Sequence, residues 1–300
     1  MPTYSEWCDL FLDFQKNAGR DAQFDRVLEE NLYSLGCARY EFGTAFGPMF
    51  LITPPWVLQS FEPFKVFLRN WDEIKESLRL LPGSRVLDIG CGAGPHVAFF
   101  AKGEYQVTAI DINELATLTC SANIYLNGIG SRNNHNVIFG NFAQADISLL
   151  FDVIITNPPL QIMPKPLEMT CMNDTVFSYM TNAWRDDDGL NLLDILFRKI
   201  ENVLSQKGCI IITSVNADRG YHNEICTKAR NYNLSLVKYW SEIIPYSHLN
   251  ISQRTIESFR SKDQTAFNTR FFGILSDFSD LGISIDRTMI CIFCFSRAQK

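Results

Sequence analysis

The stretch Arg85 to Gly94, RVLDIGCGAG, most constrains what this chain can fold into. It opens with aliphatic residues and gives way to alternating glycines at Gly90, Gly92 and Gly94. A buried strand that runs into a Gly-rich turn and then a helix is the first unit of a doubly wound, nucleotide-binding α/β fold. The glycines have separate tasks there. One permits the tight turn, one lets a ligand lie against bare backbone, and one lets helix and strand pack closely. The helix expected over 95–102 offers free N–H groups at its start. Alone, this spacing fits a structural turn as well as a binding loop.

Two further stretches weight the choice. Val107 to Asp111, VTAID, reads as a strand ending in an acid about twenty residues downstream, where a carboxylate meets a ribose diol in such folds. Phe151 to Leu160, FDVIITNPPL, reads as a strand ending in a polar, rigid tip. With Asp88, Gly90, Gly92, Gly94, Asp111 and Asn157-Pro158-Pro159 in this order, roughly residues 80 to 215 resemble the class I S-adenosylmethionine-dependent methyltransferases. The resemblance is to the N-P-P-(aromatic) branch, which methylates planar nitrogens. The segment Asp188-Gly189-Leu190 is similar to one in the release-factor glutamine methyltransferases, the HemK-like family, as are the N-terminal helices and hairpin.

The resemblance implies an α/β fold: a seven-stranded Rossmann-like sheet with helices on both faces, preceded by a small helical cap and a β-hairpin. The pattern along the chain agrees. Strands are expected near 85–89, 106–110, 136–139, 151–156, 208–214, 234–243 and 288–296, the last two forming an antiparallel pair. Helices are expected near 95–102, 114–127, 190–205 and 220–232. Residues 1–60 read as the cap plus hairpin and 61–300 as the catalytic domain, with an insertion near 245–286 that is too long for a hairpin loop. The cap rests on helical spacing of Trp7, Leu10, Phe11 and Phe14, and again of Phe24, Val27, Leu28 and Leu32. Met49 to Thr53 reads as a hairpin strand ended by Pro54-Pro55, and Phe61 to Leu80 as one helix.

Each motif has a chemical reading beside a plainer one. Asp88 either positions the cofactor's ammonium or caps a turn. Asp111 suits the two ribose hydroxyls, with Ile112 beside it at the cofactor. Asn113 either lies along the adenine edge or caps the next helix. Asn141 stands where the family carries an acid for the adenine amine, and an amide oxygen accepts the same bond more weakly. Phe142 either stacks on adenine or fills the core. The resemblance implies Asn157 and Pro158 as the catalytic pair, a side-chain oxygen and a carbonyl that each accept one N–H of the target, with Asn157 also bordering the cofactor; the plainer reading is a turn after a strand. Pro159 stiffens the tip. Leu160 replaces the family's aromatic residue and offers an apolar face without ring electrostatics. Thr53 and Trp56 are candidates for the rim of the substrate pocket, or simply for hairpin packing.

The cofactor implied is S-adenosyl-L-methionine, and no metal is implied. Cys291 and Cys294 form a C-x-x-C, but within the apolar run MICIFCF, which reads as strand core rather than zinc ligation. Nine scattered cysteines, an N-terminus with acids in its apolar part and no run of about 18 apolar residues suggest a cytoplasmic enzyme away from membranes. The net charge of −6 and the leucine at 160 make nucleic acid the disfavoured acceptor. The acceptor expected first is a glutamine side-chain amide of a protein. The alternative is a small molecule or free amino acid, ahead of a nucleobase amine of RNA or DNA.

Overall fold

A computed structural model describes residues 4–17, 32, 36–54, 57, 61–129, 135–158, 191–215, 219–245 and 287–298. Seven strands form one sheet in the order β5-β4-β3-β6-β7-β9-β8, and two more form a separate hairpin. In chain order these strands are β1 (Ala38–Phe42), β2 (Met49–Thr53), β3 (Arg85–Ile89), β4 (Gln106–Asp111), β5 (His135–Phe139), β6 (Phe151–Thr156), β7 (Leu204–Val215), β8 (Leu234–Pro245) and β9 (Arg287–Arg297). The helices are α1 (Tyr4–Asn17), α2 (Glu62–Arg69), α3 (Trp71–Leu78), α4 (Pro95–Lys102), α5 (Glu114–Leu126), α6 (Asn191–Val203) and α7 (Arg219–Asn231). The expected α/β class and strand count are both present. Among the described residues no helix is long and apolar enough to cross a membrane.

The chain divides into two compact units. The first comprises Met1–Gln59, Leu80–Thr156 and Val203–Gly208. Its strands β4 and β6 both run parallel to β3, with Ile89 in register with Ile110 and Thr156. Strands β3 and β6 are buried almost throughout, as parallel strands covered on both faces must be, and this explains their unbroken aliphatic runs. Helix α5 is the centre of the packing. Trp7, Phe11 and Phe14 of α1 are buried, the Phe14 ring meets Tyr125 edge-on at 5.8 Å, and Gln15 Nε2 donates to Leu118 O at 3.4 Å. The β1–β2 hairpin turns through Thr44, whose hydroxyl donates to Gly47 O and accepts from Phe46 N. Phe46 then packs on Phe99 of α4 at 4.9 Å.

The second unit comprises Ser60–Arg79, Asn157–Asn202 and Cys209–Lys300. Strand β9 pairs antiparallel with both β7 and β8, so the expected antiparallel pair is present with the last strand on the inside. Cys291 and Cys294 are both fully buried on β9. Three residues apart on a strand they point to opposite faces, which suits core packing and prevents shared ligation. The helix expected over 61–80 is broken. Asn70 leaves helical geometry, and its side chain donates to Val66 O at 2.8 Å, so α2 ends and α3 begins there. A short amide competing for a backbone carbonyl is a recognised way to interrupt a helix.

Gly94 precedes α4 with a positive φ of 79°, and a Cβ built there would lie 2.4 Å from Cys120 Sγ and 3.2 Å from Cys120 Cα of α5. Its task is therefore close helix packing, against α5 rather than against a strand. Gly94→Ala should cost about 3 kcal/mol or more, from left-handed strain and overpacking together. Urea denaturation beside the wild type measures this, and a loss below about 1 kcal/mol would contradict the packing argument.

Candidate active site

The turn after β3 is tied to the end of β4. Gly90 N donates to Ile110 O at 2.8 Å, and Gly92 N donates to Asp111 Oδ2 at 2.8 Å. The other oxygen of Asp111 accepts from Asn113 N at 2.9 Å. Gly90 and Gly92 have φ of 74° and 53°, and a Cβ at either would meet nothing within 4 Å. Both therefore serve a left-handed turn with bare backbone facing open space, which Gly94 does not. The four residues expected on this loop, Asp88, Gly90, Gly92 and Gly94, and the acid at 111 are thus brought together.

Two carboxylates define the electrostatics. Asp88 is buried at the end of β3, and its Oδ2 has no hydrogen-bond partner among the described residues. Burial, and after it the negative charge of Asp111, pushes its carboxyl up to about 8. Asp111 is also raised by burial, against the opposing pull of the N–H groups of Asn113, Gly92 and Ile112. The hydrogen bond to Cys120, then burial and the nearby acids, holds the Cys91 thiol well above its ordinary value, so it stays neutral beneath the loop. A buried orphan carboxylate oxygen beside bare backbone suits a cationic ligand. Asp111 Oδ2 accepts from Gly92 N and Oδ1 from Asn113 N, and a carboxylate has lone pairs beyond these for a hydroxyl donor.

Beyond Asp111 the flanking residues separate. Ile112 is 66% exposed, an apolar face turned outward at the strand end. Asn113 caps α5, its side chain accepting from Ala116 N at 3.3 Å. Asn141 accepts from Ala143 N at 3.0 Å in a local turn, and Phe142 is buried. Thr53 is fully buried, its hydroxyl 3.4 Å from Pro54 O and 3.5 Å from Val57 O, so it closes its own turn. Asn157, half-buried, and Pro158, buried, directly follow Thr156 at the carboxyl end of β6. Trp56, Pro159, Leu160 and Asp188 lie outside the described residues, as do the second cap helix, apart from a buried Leu32, and the 245–286 segment beyond Pro245.

Two features escaped the motif reading. The hydroxyl of Thr156, fully buried, donates to Ile89 O at 2.9 Å and pins the end of β6 to the residue before Gly90. Asn123 of α5 and Asn127 at its C-cap bind the backbone of β2. Their signal was available: two amides four residues apart, in a helix whose positions are mostly buried, must find partners on the side that packs.

In the unfolded chain the Asp88 carboxyl returns to about 4. Between that value and about 8 the folded state holds the additional proton, so stability falls as pH rises through this window. The slope contributed by one proton is at most about 1.4 kcal/mol per pH unit. Asp88→Asn should remove it, so the variant gains on the wild type in urea melts between pH 5 and 8. Parallel curves for the two proteins would refute the assignment.

Comparison with known proteins bears on the fold and the family. Over 95 residues the chain is 32% identical to a ribosomal RNA small subunit methyltransferase C of Chromohalobacter salexigens, covering 29% of this chain and 27% of that protein. Its match to the Vibrio parahaemolyticus protein of the same name is 37% over 86 residues, 28% of this chain and 24% of that one. The chain thus matches about a quarter of the length of these relatives. The same fold, with a TM-score of 0.50 and 14% identity, occurs in the YcgJ protein of Bacillus subtilis, over 77% of this chain and 99% of that one. It also occurs, at the same score and identity, in a Pyrococcus horikoshii protein provisionally described as an RNA methyltransferase, over 82% of this chain and 90% of that one. Residues 80–267, more than half of the chain, match the family described as a methyltransferase domain, and the chain belongs to that family, as a class I S-adenosylmethionine-dependent methyltransferase.

Proposed function

We propose that this methyltransferase acts on a planar nitrogen and that the acceptor is an exocyclic base amine in RNA. The observation that carries the nitrogen chemistry is the position of Asn157-Pro158, one residue beyond the Thr156 hydroxyl that is pinned to Ile89 O. The RNA reading is supported by the name shared by the relatives above. It revises the expectation, drawn from a net charge of −6, that nucleic acid is a disfavoured acceptor. The competing reading, a glutamine side-chain amide of a protein, draws its support from the Asp188-Gly189-Leu190 segment and the acidic balance, while Leu160 offers a base no ring to stack on.

S-adenosylmethionine, when bound, supplies a methyl group activated by a sulfonium charge. On this reading the glycine loop would hold its methionine portion, Asp88 its ammonium, Asp111 the ribose hydroxyls and Ile112 the adenine. Asn141 and Phe142 flank that end less directly, since the Asn141 amide oxygen already serves a local turn. At the acceptor, the Asn157 side-chain oxygen and the Pro158 carbonyl each accept one N–H. This steers the delocalised lone pair out of conjugation and towards the methyl carbon. The acceptor nitrogen would take the methyl group from the sulfonium donor, which would leave as the neutral thioether, and would shed its proton afterwards, so no strong base is needed. Catalysis here is positional, through acceptors fixed before the substrate arrives.

Radiolabelled methyl transfer into a cell extract, followed by nuclease or protease digestion, tests the acceptor. Nuclease-sensitive label supports the RNA reading. Protease-sensitive label overturns it in favour of glutamine, and label confined to small molecules overturns both. Asn157→Ala should lower the rate by about a hundredfold or more, while donor affinity stays within about threefold. Undiminished transfer by that variant would refute the role given to the N-P-P tip.

A further inference from the structure

The amides of α5 act on β2 as a neighbouring strand would. One edge of β2 is paired with β1. On its other edge Phe50 N donates to Asn127 Oδ1 at 2.9 Å, and Phe50 O accepts from Asn127 Nδ2 at 2.6 Å. Ile52 repeats the pattern with Asn123, at 2.7 and 2.8 Å. The spacing permits this. Two residues along a strand advance about 6.6 Å, and four along a helix about 6 Å. A row of unpaired strand groups is thereby satisfied by two side chains instead of by another strand.

The two amides differ in where the second amide proton goes. Asn127 Nδ2 returns it to its own helix, at Asn123 O, 2.7 Å away. Asn123 Nδ2 gives it to Ala93 O at 2.8 Å, and Ala93 lies between Gly92 and Gly94 in the turn after β3. Asn123 is fully buried, so water cannot replace these bonds. Its carboxamide therefore joins three pieces: α5, the second hairpin strand and the glycine loop.

We propose that Asn123 is a positioning residue for donor binding: by holding Ala93 O and Ile52 together, it sets the glycine loop in its ligand-ready conformation and couples it to the hairpin. The proposal rests on the reading that this loop holds the donor. Asn127 binds β2 in the same way but does not touch the loop, and so serves as the internal control.

The test is calorimetric titration of full-length protein with S-adenosylhomocysteine, alongside the KM for the donor in the transfer assay. Asn123→Ala should raise Kd and donor KM tenfold or more and change kcat less. Asn127→Ala should leave donor Kd within about twofold, even where urea melts show comparable destabilisation. Equal effects of the two substitutions on donor affinity, or none from Asn123→Ala, would overturn the proposal and leave the amides a purely architectural role. Should Asn123→Ala fail to fold, the near-isosteric pair Asn123→Leu and Asn127→Leu gives the same comparison without a cavity. Gly92→Ala separates this proposal from the reading beneath it. A Cβ at Gly92 meets nothing within 4 Å and adds only left-handed strain, about 1–2 kcal/mol, so with folding checked by urea melt, retained donor affinity in that variant would count against the loop as donor site rather than against Asn123.

Discussion

The close approach of α5 to the glycine loop is the constraint on which the first unit depends. It is possible only because residue 94 has no side chain, since even a methyl group would overlap Cys120. Once α5 lies this near, Asn123 reaches Ala93 O, and the same amide fixes Ile52. The hairpin is thereby placed, and Phe46 at its turn closes over α4. On another face of α5, Tyr125 receives Phe14 of the N-terminal helix. A packing contact of one atom at Gly94 is thus carried outward through hydrogen bonds and rings to elements far apart in sequence. Buried amides suit such transmission, because a lost partner leaves a desolvated backbone group rather than a loosened contact.

Electrostatics shape the proposed donor site in the opposite direction, towards instability without ligand. Asp88 and Asp111 lie near enough for the charge of one to raise the other, and both are removed from water. Asp111 is compensated by backbone N–H groups from the turn on each side of it. The Asp88 Oδ2 is not compensated within the described residues. An array of this kind is costly in a protein that binds nothing and favourable in one that binds a cation, because the ligand's charge supplies the missing partner.

The parts of the fold legible in sequence were those with a repeating or steric signature. Strands β3 and β6 appeared at their observed bounds because doubly covered strands are continuously apolar, and β2 because two prolines end it. The C-x-x-C was readable as strand core from its apolar neighbours. The break at Asn70 was not, since the helical apolar period continues through it and the competing bond is a single side-chain event. Thr156 and Asn123 were missed for a related reason. Threonine in a strand and asparagine in a helix look like ordinary filler until the backbone group they face is known, and that group lies 67 or 71 residues away in the chain. Local propensity carries no information about such partners.

The same distinction bears on the acceptor. Donor binding in this proposal is mostly backbone work, by glycines, a strand end and a carboxylate, and backbone work leaves a motif. Acceptor choice is side-chain work, and one residue can change it. An aromatic ring after N-P-P would hold a flat base by stacking, whereas Leu160 offers area without a quadrupole. Net charge is no substitute for this evidence, because a −6 chain still binds an anionic polymer if its positive groups are local to one surface. The requirement common to a base amine and a glutamine amide is a planar nitrogen whose N–H groups meet two fixed acceptors. The Asn157-Pro158 tip proposed for that task follows a strand whose last hydroxyl is locked to β3. On that proposal rigidity at Thr156 would bear on the chemistry whichever acceptor is used, since a tip free to rotate would lose the alignment that stands in for a catalytic base.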